Sequence, residues 1–157
     1  MEKDPRDKIV FVCTGNTCRS VMAHVFLESQ IRDIPEIAHY TVTSAGLSVR
    51  EGQGSSSEVK AIVQAKGLSV ENHRARPLTQ AMVDQAAAIV CATEVHEKFL
   101  KKSFVNLPKV CTSFLKFGGD IADPYAGGSK TYEKIAVEIE QKLPLIIEFL
   151  RKELNDH

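Results

Sequence analysis

A cysteine and an arginine bracket the loop Cys13-Thr14-Gly15-Asn16-Thr17-Cys18-Arg19-Ser20. The apolar run Lys8-Ile9-Val10-Phe11-Val12 precedes it, and a segment with helical periodicity follows. A strand, a short loop and a helix N-terminus in that order make a nest of backbone N–H groups that binds anions. A cysteine at the floor of such a nest is expected to be a thiolate and a nucleophile. Arg19 offers a planar fork that matches two phosphate oxygens. The helix dipole beginning at Ser20 adds positive potential at Cys13. Phosphoryl transfer to sulfur is the chemistry that uses all of these groups.

The substrate-binding residues expected from this loop are Thr14, Gly15, Asn16, Thr17, Cys18 and Ser20. The amides of Thr14 to Arg19 converge on phosphate oxygens if the loop curls around them. Gly15 is expected to permit the turn. Asn16 tolerates a left-handed backbone and can tie the loop down through its side chain. The Ser20 hydroxyl is placed to hydrogen-bond the Cys13 sulfur, and Ser20 also reads as the helix N-cap.

The leaving group needs a proton as its bond to phosphorus breaks, and a carboxylic acid on a mobile loop suits that task. Asp123 stands before Pro124 among the glycines 118, 119, 127 and 128. Asp120 is the near alternative, and Asp123-Pro124 on its own also reads as a turn initiator. Tyr125 reads either as a wall for the substrate side chain or as a partly buried loop aromatic. His73 and Arg76 read as braces. His96 has no obvious partner and reads as a surface residue. Cys91 and Cys111 read as core.

The elements that must hold these residues alternate. Strands are expected at Lys8 to Cys13, Tyr40 to Thr43, Ala87 to Ala92 and, weakly, Lys109 to Thr112. Helices are expected at Ser20 to Ile31, Glu58 to Lys66, Thr79 to Gln85 with Thr79 as cap, Glu94 to Lys102, and Lys130 to Glu153. Pro144 should kink the last of these. Residues 47–57 and 118–129 read as loops. This order implies a parallel sheet covered on both faces, with sites at the carboxyl ends of its strands. The expected fold is α/β, three-layer α/β/α, with a four-stranded parallel sheet of the Rossmann-related, phosphatase-I-like kind.

The length of 157 residues fits one domain over 1–157, with 1–7 as a flexible N-terminal extension. Twenty basic and twenty acidic residues give a formal net charge of zero. That argues against nucleic acid or an anionic membrane as the main partner. No apolar run approaches a bilayer span, and the charged N-terminus lacks a signal-peptide core. The four cysteines lack zinc-site spacing. A cytoplasmic protein with reduced thiols is the expectation. The proposed chemistry needs no metal or cofactor, because Arg19 and backbone amides neutralise the charge.

The Cys13–Ser20 loop resembles the active-site loop of the low-molecular-weight protein tyrosine phosphatases. The resemblance continues through Ser44-Ala45-Gly46, His73-Arg74-Ala75-Arg76 and Asp123-Pro124-Tyr125, in matching order over nearly the whole chain. It implies a phosphatase of phosphorylated proteins with Cys13 as nucleophile, Arg19 as phosphate ligand and Asp123 as general acid. It also implies that Cys18 can trap oxidised Cys13 as a disulfide. Two departures stand out: Val21-Met22-Ala23-His24 replaces the family's Pro-Met-Ala-Glu, and no second aromatic follows Tyr125. Thr17 and the Gly-Gly-Ser at 127–129 resemble the bacterial protein-arginine phosphatases of this family, where tyrosine-directed members commonly carry a larger aliphatic residue at the Thr17 position. The resemblance thus leans to phosphoarginine, with phosphotyrosine as the alternative. Two other readings compete. An arsenate reductase needs a close pair of relay cysteines, and Cys91 and Cys111 lie 20 residues apart. A phosphopeptide-binding module has little use for both Arg19 and Asp123.

Overall fold

Strand β1 (Lys8–Cys13) is apolar along nearly its whole length because both of its faces are covered. A computed structural model describes residues 6–125 and 127–154. After β1 come α1 (Arg19–Ile31), β2 (Thr41–Gly46), α2 (Ser57–Ala65), α3 (Gln80–Gln85), β3 (Ala86–Cys91), α4 (Glu94–Ser103), β4 (Val110–Ser113) and α5 (Ser129–Leu154). A 3-10 turn over Phe114–Phe117 follows β4. The four strands are parallel in the order β2-β1-β3-β4.

Side chains alternate across this sheet as the strand period of two requires. Ile9, Phe11 and Cys13 point toward α1, α2 and α5, in one buried cluster with Val63 and Ile139. Val10 and Val12 point to the other face, against Val83 of α3 and Leu100 of α4. The molecule is therefore a three-layer α/β/α sandwich, as expected. Among the described residues no helix is long and apolar enough to cross a membrane.

Two local expectations change, and two hold. Strand β2 does not stop at Thr43. It continues through Ser44, Ala45 and Gly46, with Gly46 opposite Cys13. Helix α1 begins at Arg19, and Ser20 is not its cap: the N-cap residue is Cys18, with no side-chain cap bond. Helix α5 runs as one element with Pro144 inside it, as the sequence reading placed it. Thr79 likewise caps α3 as expected, accepting from Met82 N at 3.2 Å. The expected extension over 1–7 enters the described residues only at Arg6 and Asp7, and there it is tied down. Arg6 donates to the carbonyls of Val83, Ala86 and Asn106, and Asp7 O accepts from Thr41 N.

The small residues that end β2 let the Cys13 loop lie against the strand. A Cβ on Gly46 would come within 2.5 Å of Val49 Cγ2, closer still to the Thr14 carbonyl oxygen, and 3.2 Å from Asn16 N. Two of those neighbours are backbone of the loop itself and cannot swing away. Gly46→Ala is therefore expected to displace the Thr14–Asn16 backbone and to cost about 1–3 kcal/mol of stability. Urea denaturation reads the loss. A variant as stable and as active as the parent would show that the loop yields freely.

Candidate active site

Loop 14–18 connects β1 to α1 at the carboxyl end of the sheet, and most of its carbonyl groups have work elsewhere. Cys13 O accepts from Leu47 N at 3.0 Å, Thr14 O from Ser48 N at 3.0 Å, and Thr17 O from Ser56 N at 3.3 Å. Asn16 O accepts from His73 Nε2 at 2.8 Å. Among the described residues, no backbone N–H from Thr14 to Ser20 donates to a protein acceptor. Carbonyls drawn outward leave the N–H groups to face inward, which is the geometry of an anion nest.

Asn16 is the hinge of the turn. It is fully buried, with φ of +58° in the left-handed region. Its Oδ1 accepts from Arg76 N at 3.1 Å, and its Nδ2 donates to Ser20 Oγ and Ser44 Oγ, both at 2.9 Å. Gly15 was expected to make the turn. Its φ is not positive, and a Cβ there would meet only Thr17 Oγ1 at 3.9 Å. Asn16 alone takes the left-handed conformation in this loop because its side chain compensates the backbone cost with buried hydrogen bonds.

Cys13 is buried, and its Sγ lies 3.0 Å from Ser20 Oγ. Ser20, freed from capping, thus contacts the sulfur as expected. Arg19 is also buried. Its Nη1 donates to Ile121 O at 3.0 Å, and its Nη2 lies 3.5 Å from Thr14 Oγ1 and 3.8 Å from Asp123 Oδ2. Ile121 N in turn donates to Ala92 O at the end of β3. The arginine and the strand end together fix the segment that carries Asp123.

Asp123 divides its carboxylate. Oδ1 accepts from Tyr125 N at 2.9 Å, a local turn, while Oδ2 faces Arg19. The turn reading of Asp123 holds, and its second oxygen is left facing Arg19. Asp120, the alternative acid, accepts from Glu94 N at 2.9 Å and is thereby engaged at the start of α4. Tyr125 is 81% exposed, so it is not a partly buried loop aromatic. It stands beside Thr17, Cys18, Ser56 and Tyr132 around a cleft of about 510 Å³. Cys18 Sγ lies 3.6 Å from Ser56 Oγ and 3.9 Å from Tyr132 Oη.

His96 corrects the sequence reading most. It is 8% exposed, not on the surface, and Nε2 shares a 2.8 Å hydrogen bond with Thr14 Oγ1. Its Nδ1 lies 3.0 Å from Thr93 Oγ1, the cap of α4. Nothing in its sequence neighbourhood signalled this, since Thr14 is 82 residues away. His73 and Arg76 brace the loop as expected, although Arg76 does so through its backbone N–H. Burial, then Arg19, pushes the His96 pKa down to about 4 from 6.5. Burial is also the leading cause that lowers the pKa of His73 and of His24, which sits 3.4 Å from Ser44 Oγ.

These depressed values set the sign of an acid instability. An unfolded histidine takes its proton near 6.5 and folded His96 only near 4. The stability of the neutral form is fully present above pH 6.5 and is lost as pH falls toward 4. Urea unfolding from pH 7 to pH 4 is expected to show a loss of up to about 3 kcal/mol from His96 alone. His96→Asn is expected to flatten that slope. Equal slopes in the two proteins would remove His96 as the source.

Comparison with known proteins adds ancestry to this geometry. Residues 8–156 match the family model described as low molecular weight phosphotyrosine protein phosphatase. A protein-arginine-phosphatase of Geobacillus stearothermophilus is 32% identical over 150 residues, covering 93% of this chain and 97% of its own. The crystal structure of a low molecular weight protein tyrosine phosphatase from T. tengcongensis superposes with a TM-score of 0.83 at 28% identity, over 91% of this chain and 99% of the other. A mutant of the YwlE arginine phosphatase, with a phosphorylated active-site serine, has a TM-score of 0.80 at 28% identity, over 92% of this chain and 96% of the other.

Proposed function

The chain belongs to the low molecular weight phosphotyrosine protein phosphatase family, and from that we propose a protein-arginine phosphatase that works through a phosphocysteine on Cys13. That it is a phosphatase follows from the family and its relatives. The observation that carries the chemistry is the meeting of Cys13, Arg19 and Asp123 around a loop whose amides have no protein acceptor. A relative that carries phosphate on an active-site serine supports transfer to the side chain at the nest floor.

The steps follow from the contacts. The phosphate oxygens take the inward amides and Arg19 Nη2, whose present partners at 3.5 and 3.8 Å are weak. The Cys13 thiolate attacks phosphorus in line, forming the S–P bond. The P–N bond breaks, its electron pair stays on the guanidine nitrogen, and protonated Asp123 supplies the proton. A guanidine is a very poor leaving group without that proton, so the acid matters more here than for an aryl phosphate. Water then attacks phosphorus, Asp123 takes its proton, and the sulfur leaves as thiolate toward the Ser20 hydroxyl 3.0 Å away. Free arginine side chain and phosphate result.

Three observations support phosphoarginine. The first is the 32% identical arginine phosphatase. The second is Thr17, a small hydroxyl residue of the loop that also lines the cleft beside it. A branched aliphatic residue there would crowd a planar N-phosphoryl group. The third is the cleft wall itself, which is largely hydroxyl-bearing. Phosphotyrosine is the second reading, favoured by the exposed ring of Tyr125 beside the same cleft. A cysteine relay of the arsenate-reductase kind is disfavoured, because Cys91 is fully buried and burial drives its thiol pKa well up.

Side-by-side turnover of phosphoarginine and phosphotyrosine peptides tests the assignment. The native protein is expected to prefer phosphoarginine, and Thr17→Ile to move the ratio of kcat/KM toward phosphotyrosine. A native preference for phosphotyrosine would overturn the assignment. Asp123→Asn is expected to lower kcat on phosphoarginine by about 10²–10⁴-fold with little change in KM. Undiminished kcat in that variant would remove Asp123 from proton transfer.

A further inference from the structure

The cleft beside Thr17 does not end at the phosphate loop. It runs between residues 53–57 and the start of α5 to Glu58, and Glu58 also lines a second groove of about 390 Å³ between α2 and α5. Glu133 lies along that second groove. Taken together, the two depressions make a track that begins beside Thr17 and Cys18, and they meet at Glu58, the residue they share. The near part is fixed relative to the loop. Ser56 N donates to Thr17 O, and Ser56 Oγ meets Cys18 Sγ.

The charge along the track is one-sided. Glu58 is the single charged side chain around the first cleft. In the second groove Lys66 is engaged by Glu140 at 2.8 Å, which cancels both charges. Glu58 and Glu133 have no ion-pair partner among the described residues; Glu58 accepts only from Ser57 Oγ, at 3.2 Å. The wall holds one further unmet group. Ser55 is 7% exposed, and its Oγ has no hydrogen-bond partner. That oxygen is itself closed off from the cleft, so the recognition along the track is carried by the two carboxylates.

We infer that this track seats the substrate chain beside the phosphorylated residue and selects Lys or Arg there. The inference rests on the reading of Cys13 as the reacting centre, since the track begins at Thr17 and Cys18 of the loop that follows it. A cationic side chain lying along hydroxyls and tyrosine rings meets Glu58 first and Glu133 beyond it. An acidic side chain meets the same two carboxylates and is repelled. Each such pair is partly exposed, so selection is modest and sensitive to salt.

The test is a set of phosphopeptides that differ only in one flanking residue, Lys, Ala or Glu, assayed beside a small aryl phosphate. The expected result is a kcat/KM about two- to fivefold higher for Lys than for Ala at each favoured position, carried by KM, and lower again for Glu. The Lys-to-Glu ratio is expected to shrink at about 0.5 M salt. It is also expected to fall toward one in the Glu58→Gln/Glu133→Gln double variant, with folding checked by circular dichroism. A native ratio of one, or a ratio that survives the double substitution, would overturn the track. Loss of the underlying reading looks different: native protein inert on every phosphopeptide and on the aryl phosphate, or Cys13→Ser still active on them.

Discussion

The structure depends on where four carbonyl oxygens go. Those of Cys13, Thr14, Asn16 and Thr17 accept from Leu47, Ser48, His73 and Ser56. Each donor comes from the segment between β2 and α3, so that segment is the outer mould of the loop. With carbonyls bound outward, the amides turn inward without any ligand to draw them. Such preorganisation is what makes a phosphate cradle effective, because the dipoles need not reorient as charge develops. Gly46 belongs to the same constraint. Its missing Cβ lets the loop backbone lie against the end of β2, where side chains of any size would hold it away.

Arg19 extends the mould to the third loop. One arm of its guanidinium holds Ile121 O, and the other reaches Thr14 and Asp123. An arginine already bound on one side loses less freedom when it meets a phosphate. Since Ile121 is also bound to Ala92, the acid loop hangs from the end of β3 and from the phosphate loop together. Asp123 stays exposed at its side chain while its position along the chain is fixed.

The sequence made the sheet and the nucleophile loop legible because both rest on local signals. An apolar strand, a Cys-to-Arg spacing and helical periodicity are readable without knowing what lies nearby in space. The cap at Thr79 is of the same kind. What failed depended on distant partners. His96 read as a surface residue because its partner Thr14 comes from another loop. Ser20 read as a cap, whereas Cys13 and Asn16 engage its hydroxyl. Gly15 read as the turn residue because glycine tolerates positive φ cheaply, yet buried hydrogen bonds hold Asn16 there instead. The end of β2 was missed because Ser-Ala-Gly has weak strand propensity. Pairing with β1 overrides that propensity.

Three histidines surround the nest, and burial is the leading cause that lowers the pKa of each. Their neutrality near pH 7 follows from the same packing that shapes the loop. It also bears on turnover. A neutral imidazole holds Thr14 or the Asn16 carbonyl by hydrogen bonding as well as a charged one would position it. A protonated ring would add a full positive charge beside Arg19. Extra charge would bind phosphate in the substrate, the intermediate and the product alike. Uniform binding of that kind does not speed the chemical step, and it slows release of the product. The nest therefore concentrates its cationic charge in Arg19, whose Nη2 is only weakly engaged by Thr14 and Asp123. The surrounding shape is built from groups that stay uncharged.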